Sequence, residues 1–310
     1  MSEKTGFKLR NNLFFYVSLL CAYFVPLIII TMFVVLLKES YPAIEKFGLF
    51  HFIVSSTWDP VKGIFGGAAP IYGTVVTTGL SLLIAAPLSI GIAIFITQIS
   101  PARLKGIFGA AIELLASIPS IIYGMWGLFV LAPIMANHVE PFLKETLGRL
   151  PVLEYLFRGT PIGIDLLTAS IILSIMIIPF ITSVARDSFE LVPATLIESA
   201  YGMGATKWEV IKDIILPYSK NGLFGGLILG LGRAIGETMA VAFVLGNKHQ
   251  IVLSLLGASS TIPVTLANEF TEADTKIYLS SLFLLALILF VSSFIVLSLA
   301  KYLVIKDRKT

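Results

Sequence analysis

The sequence predicts an all-α membrane protein with six transmembrane helices and both termini in the cytoplasm. Of 310 residues, 56% are hydrophobic and only 13% are charged, whereas about 25% of an ordinary soluble domain is charged. Mean hydropathy is +0.92. Six apolar runs reach the spanning length, which is roughly 20 residues for a helix.

The first run, residues 13–37, follows Lys4, Lys8 and Arg10. A cleaved signal peptide would carry an apolar region of about 7–15 residues ending in small residues. This run ends at Lys38-Glu39 instead, so it reads as a retained first span within an N-terminal part, 1–73, that also holds an outer loop. The core, 74–300, contributes five more runs at about 74–97, 107–135, 162–184, 222–246 and 277–300, and 301–310 forms a cytoplasmic tail. Pro87, Pro119, Pro133 and Pro179 fall inside these runs or near their ends. Membrane helices tolerate such breaks where neighbours satisfy the freed backbone groups. The run 107–135, containing ELLASIPSIIYGMWG, is expected to bend or break at Pro119. The long outer loops have room for short helices, and no strong internal repeat is visible.

The N-terminus, the loops 98–106 and 185–221 and the tail together carry 13 Lys and Arg, against 8 in 38–69, 136–161 and 247–276. The positive-inside bias therefore puts both termini in the cytoplasm. The single cysteine, Cys21, excludes an intrachain disulfide, and the three histidines at 51, 138 and 249 are too scattered for a His-based metal site. No metal or cofactor is expected on this chain, and no nucleic-acid partner.

The loop 185–221 reads RDSFELVPATLIESAYGMGATKWEVIKDIILPYSKN after the fourth run. Pro193 suits a helix start. Leu196, Ile197, Ala200 and Tyr201 follow at helical spacing before Gly202 and Gly204 stop the helix. Thr206 and Glu209 make a capping box for a second helix, which Pro217 is expected to end. From the residues alone, the pair is either an interfacial helix lying on the membrane or a docking surface for a partner.

The fifth run holds Arg233 and Glu237 in GLGRAIGETMAV. Ionisable residues within a span are costly and mark function by default. If the helix runs 222–246, Arg233 lies near the bilayer midplane, and Glu237 sits one turn further on the same face. Gly222, Gly226, Gly230, Gly236 and Ala240 share that face. One reading is a mutually neutralised pair on a close-packing glycine stripe. The other is an anion path in which Arg233 offers forked donors to an oxyanion. Glu113, in the third run, either snorkels inward or helps to gate. Asp165 reads as a solvated acid at a helix start. Tyr123 and Trp126 read as packing or interface residues.

Glu198-Ser199-Ala200, Gly204, Ile214, Leu216 and Pro217 resemble the cytoplasmic signature of ABC-importer permeases: Glu-Ala-Ala, three residues, Gly, nine residues, Ile-x-Leu-Pro. Ser199 stands where that family usually has alanine. The resemblance implies a type I ABC-importer permease fold, with Glu198, Ser199, Ala200 and Gly204 on a coupling helix that docks in a separate ATPase subunit. GRAIGETMAV, NNLFFYVSLLCAYFVPLIII and ELLASIPSIIYGMWGLFVLAPI extend it over nearly the whole chain, to the permeases of phosphate-specific (Pst) importers and their C-type subunit. That family implies inorganic phosphate as substrate and the cytoplasmic membrane of a prokaryote as location. It also implies a second related permease, two ATPase subunits holding ATP and Mg, and an extracytoplasmic phosphate-binding protein.

The chain lacks the G-x-x-x-x-G-K-[ST] phosphate loop, so ATP hydrolysis falls to another subunit. It has neither H-E-x-x-H nor a credible His-containing dyad, which argues against an intramembrane enzyme. A permease for sulfate or molybdate, or a passive anion channel, remains compatible with Arg233 and Glu237 alone.

Overall fold

The computed structural model describes residues 2–151 and 153–307, with side chains described over 14–151 and 153–302. The chain runs through α1 (Ser2–Phe47), α2 (Leu49–Val54), α3 (Ala68–Ile99), α4 (Ala102–Ser117) and α5 (Ser120–Arg149). It continues through α6 (Leu166–Glu190), α7 (Ala194–Gly202), α8 (Lys207–Ile235), α9 (Met239–Ala242), α10 (Ile262–Glu269) and α11 (Lys276–Asp307). Among the described residues six helices are long and apolar enough to cross a membrane: α1, α3, α5, α6, α8 and α11.

The six spans agree with the sequence in number and order, and several boundaries move. α1 continues past residue 37 to Phe47, through Pro26 and Pro42. The expected run 107–135 is broken at Ile118-Pro119, where both residues adopt extended ψ. The 16 residues of α4 are about 24 Å long, short of the roughly 30 Å hydrocarbon core. The crossing helix is α5, which absorbs the first part of the expected outer loop. The inner loop 185–221 shrinks to 191–206 because α6 runs on to Glu190 and α8 starts at Lys207.

Pro217 does not end a helix; it lies inside α8. A π turn over Ile211–Ile215 precedes it, and Leu216 N–H bonds to the carbonyl of Ile211. The ladder changes register where proline has no N–H to contribute, so the break costs little.

α6 lies at the centre of the bundle. Leu166, Ile172, Leu173, Met176, Ile177 and Ile181 are buried with Ala85 of α3 and Ala234 of α8. Apolar contact alone discriminates poorly against lipid, so close backbone approach must contribute. A Cβ at Gly222 would fall 1.9 Å from Ser188 Oγ, one at Gly226 3.2 Å from Val184, and one at Gly230 2.7 Å from Ile181. The glycine stripe of α8 therefore seats it on α6, as its spacing indicated.

A second cluster joins α1, α2 and α11 through Ala43, Phe52, Phe65, Tyr278, Leu282 and Leu285. At Pro42 the α1 ladder is completed from outside. Ala43 N–H donates to Ser280 Oγ at 2.9 Å, and that hydroxyl donates to Glu39 O at 2.8 Å. At the same end of the molecule Glu269 accepts from Trp58 Nε1 and Tyr278 Oη at 2.6 and 2.9 Å and faces His249 Nε2 at 2.5 Å.

Candidate functional site

α8 stops at Ile235, so the expected continuous helix 222–246 is interrupted beside its charges. Gly236 takes φ −93° and ψ 1°, and the polar residues that follow bond to local backbone. Glu237 Oε1 accepts from Ala240 N–H at 3.2 Å, capping the one-turn helix α9. Thr238 Oγ1 donates to Gly236 O at 3.4 Å. Glu237 is therefore not one helical turn above Arg233, and no ion pair or hydrogen bond joins the two within the described residues.

Arg233 lies on α6 instead. Its guanidinium carbon stands 4.2 Å from the centroid of the Phe180 ring. Phe180 is roughly 21 Å from the Leu166 end of α6 and roughly 15 Å from the Glu190 end, so Arg233 does sit at mid-depth. Its Nε is buried without a hydrogen-bond partner. The side chain lines a cavity of about 420 Å³ with Glu113, Pro179, Phe180, Ser183 and Leu229. Non-helical backbone at membrane depth is tolerated where it is buried in protein or lines a cavity. The interruption at 236–238 begins three residues after Arg233, which lines such a cavity.

A carboxylate from another run also reaches this region. Glu113 of α4 shares the cavity with Arg233, and its Oε1 lies 3.3 Å from Arg186 Nη2. Arg186 also pairs with Asp187 at 3.2 Å. Phe180 and Ser183 had no signal beyond helical spacing from Arg186. Tyr123 is buried and bonds Leu115 O across the Pro119 break at 2.8 Å, a bracing role in line with its packing reading.

The 191–206 loop is built as its residues suggested. The Thr206–Glu209 capping box is present in both directions. Gly204 takes φ +90°. Ala205 N–H bonds to Ala200 O and Gly204 N–H to Tyr201 O, both at 3.0 Å. This is the paired closure that a left-handed glycine permits after a helix. Within α7, Glu198 and Ser199 are exposed, while Ala200 is buried against Ala185, Phe189, Val210 and Ile211. Ala200 thus seats the helix on its own chain. The outward face adds Leu196, Tyr201 and Met203, the last 84% exposed, with Trp208 just beyond.

Asp165 caps α6 by accepting from Thr168 N–H at 2.8 Å, but it is not solvated. It is 1% exposed, and Glu140 of α5 is buried beside it. Burial holds the Asp165 carboxyl above its ordinary range. The fold of α5 brings Glu140 there, which no local pattern announced.

A bundle of six spans, a capped two-helix loop at one end and a cation facing a cavity at mid-depth are the features of a membrane permease. The chain belongs to the family of binding-protein-dependent transport system inner membrane components, whose model matches residues 89–308. Within it, the chain is 52% identical over 276 residues to the Phosphate transport system permease protein PstC of Mesorhizobium japonicum, covering 89% of this chain and 84% of that one. It is 49% identical to the protein of the same name from Pasteurella multocida, covering 93% of this chain and 89% of that one. A chain of the MetNI methionine ABC transporter, crystallised in inward-facing conformations, matches with a TM-score of 0.54 at 17% identity, covering 76% of this chain and 93% of that one. That likeness carries the ABC-importer permease fold. The chain is a multi-pass membrane transport component and not an enzyme.

Proposed function

We propose that this chain is the permease subunit of an ATP-driven importer of inorganic phosphate in the cytoplasmic membrane of a prokaryote, with both termini inside. The observation that carries the reading is Arg233, a guanidinium at mid-depth with no anionic partner in hydrogen-bonding contact among the described residues and a buried, unpartnered Nε, facing a cavity. Arg233 is half-buried, its shielded Nε lacks an acceptor, and a visiting oxyanion supplies the missing charge and acceptors. The names of its relatives supply phosphate as that oxyanion.

ATP and Mg belong to two separate ATPase subunits, which meet the exposed face of α7 with Glu198 and Ser199 at its centre and Gly204 at its turn. A second related permease completes the path, and an extracytoplasmic binding protein delivers phosphate.

The test is ATP-driven uptake of labelled phosphate and sulfate by the co-purified complex in vesicles. Arg233→Gln is expected to assemble and to lose nearly all phosphate uptake. Wild-type uptake in an assembled Arg233→Gln complex, or a preference for sulfate in the wild type, would overturn the reading. Orientation is checked with single cysteines. Thr206→Cys is expected to react with impermeant reagents from the inside only, and Asn268→Cys from the outside only.

A further inference from the structure

A second, differently furnished guanidinium, Arg186, is tied to the cavity beside Arg233 through Glu113, one of the cavity's lining residues. Ser183 lines the cavity, and Arg186 follows three residues later on α6, towards the 191–206 loop. Phe180, under Arg233, is six residues from Arg186, which is roughly 9 Å along the helix. Glu113 belongs to both places: it lines the cavity and pairs with Arg186 at 3.3 Å. α4 is thinned where Arg186 lies, since a Cβ at Gly109 would come within 2.7 Å of Arg186 Nη1.

The two arginines differ in what holds them. Arg233 has an aromatic face and an unpartnered Nε. Arg186 has two carboxylates, Glu113 and Asp187. The side chains of Arg186 and Glu113 are 20% and 63% exposed, so the carboxylate is freer to leave than the guanidinium.

We infer that Arg186 is a second anion contact on the route and that Glu113 is its displaceable counter-ion, the two forming a charge gate at the inner mouth. This rests on the phosphate-transport reading. An anion arriving from Arg233 competes with Glu113 for the Arg186 donors, and Glu113 swings towards solvent. Asp187 stays on Arg186, so the anion is held less tightly there than at Arg233. A transit path needs that gradient, because its last site must release. With no anion present, Glu113, Arg186 and Asp187 together carry one net negative charge, which opposes anion passage in either direction.

The experiment uses the full complex in vesicles and reads two rates: ATP-driven phosphate uptake, and leak of preloaded phosphate without ATP. Glu113→Gln keeps the shape and an acceptor for Arg186 but removes the charge. The ratio of leak to ATP-driven uptake is expected to rise about tenfold, the effect of removing one charge-assisted hydrogen bond from the closed state. A brace without a gating role would leave the ratio unchanged, and that result overturns the inference. A second arm does not depend on the charge variant assembling. With Cys21→Ser as background, Glu113→Cys and Arg186→Cys joined by a cleavable cross-linker are expected to arrest uptake, and cleavage to restore it. Uptake that survives complete cross-linking also overturns the gate. Absence of phosphate uptake in the wild-type complex would instead sink the transport reading, so the two failures are distinguishable.

Discussion

Arg233 and Phe180 meet as cation and ring, 4.2 Å from guanidinium carbon to centroid, across the α8–α6 contact. The ring orients the guanidinium without neutralising it, which a carboxylate in the same place would do. Phe180→Leu keeps an apolar side chain there and removes the quadrupole, a loss of about 0.5–2 kcal/mol. The expected result is an assembled complex with severalfold weaker apparent affinity for phosphate in uptake assays, restored by Phe180→Tyr. Unchanged affinity in the leucine variant would show that the stack does not position Arg233.

Glu237 offers a separation of roles. Its carboxylate caps Ala240 N–H at 3.2 Å, and the amide oxygen of Gln can do the same. Glu237→Gln is therefore expected to fold and assemble normally, while Glu237→Ala loses the cap at a cost of about 0.5–2 kcal/mol. If the charge also meets the anion, Glu237→Gln transports phosphate poorly and discriminates less against sulfate. The reason is that protonated phosphate can donate to a carboxylate and sulfate cannot. Wild-type flux and selectivity in Glu237→Gln would reduce Glu237 to a cap.

At Gly204 a Cβ would meet nothing within 4 Å, so any substitution penalty is conformational. At φ +90° a β-branched residue costs about 1–2 kcal/mol or more. Gly204→Val is expected to leave the chain inserted but to misplace α7, lowering both uptake and substrate-stimulated ATP hydrolysis. Gly204→Asn should be milder, because asparagine visits the left-handed region more readily. Normal stimulation in the valine variant would remove the loop from the coupling role.

The Asp165 carboxyl, raised by burial, gives a pH dependence of definite sign. An acid whose folded pKa lies above its unfolded value favours the fold most while protonated. Its contribution is present at low pH and is lost as pH rises through the raised folded value. Asp165→Asn keeps an N-cap acceptor for Thr168 and removes the ionisation. Above about pH 4, the ordinary aspartate value, apparent melting of the purified complex is expected to fall less steeply with rising pH in the variant than in the wild type. Parallel curves would show that Asp165 does not ionise differently on folding.

The sequence made legible whatever depends on near neighbours. The six spans follow from apolar length, the Thr206–Glu209 box from a spacing of three, and the left-handed Gly204 from its place after a helical pattern. The glycine stripe of α8 was readable because 222, 226 and 230 recur at helical spacing. Features joining distant residues were not legible. Glu113 and Arg186 are 73 positions apart, and neither run suggests the other. Asp165 looked solvated because Glu140 belongs to another helix. The interruption after Ile235 was hidden for a different reason: Ile, Met, Ala and Val keep the run apolar across it, while a short polar step at 237–238 redirects the backbone. Pro217 misled in the opposite sense, since a π turn removes the penalty proline usually brings.

The Ser280 hydroxyl that completes the α1 ladder bears on the order in which the chain can mature. Ala43 and Ser280 are 237 positions apart, so α1 is synthesised long before its missing rung exists. Until then, Ala43 N–H and Glu39 C=O face each other across Pro42 without the group that bridges them. The first span must wait in the membrane with an unfinished backbone while the four intervening spans insert. Only when α11 arrives is the rung supplied, so the last span inserted completes the backbone bonding of the first.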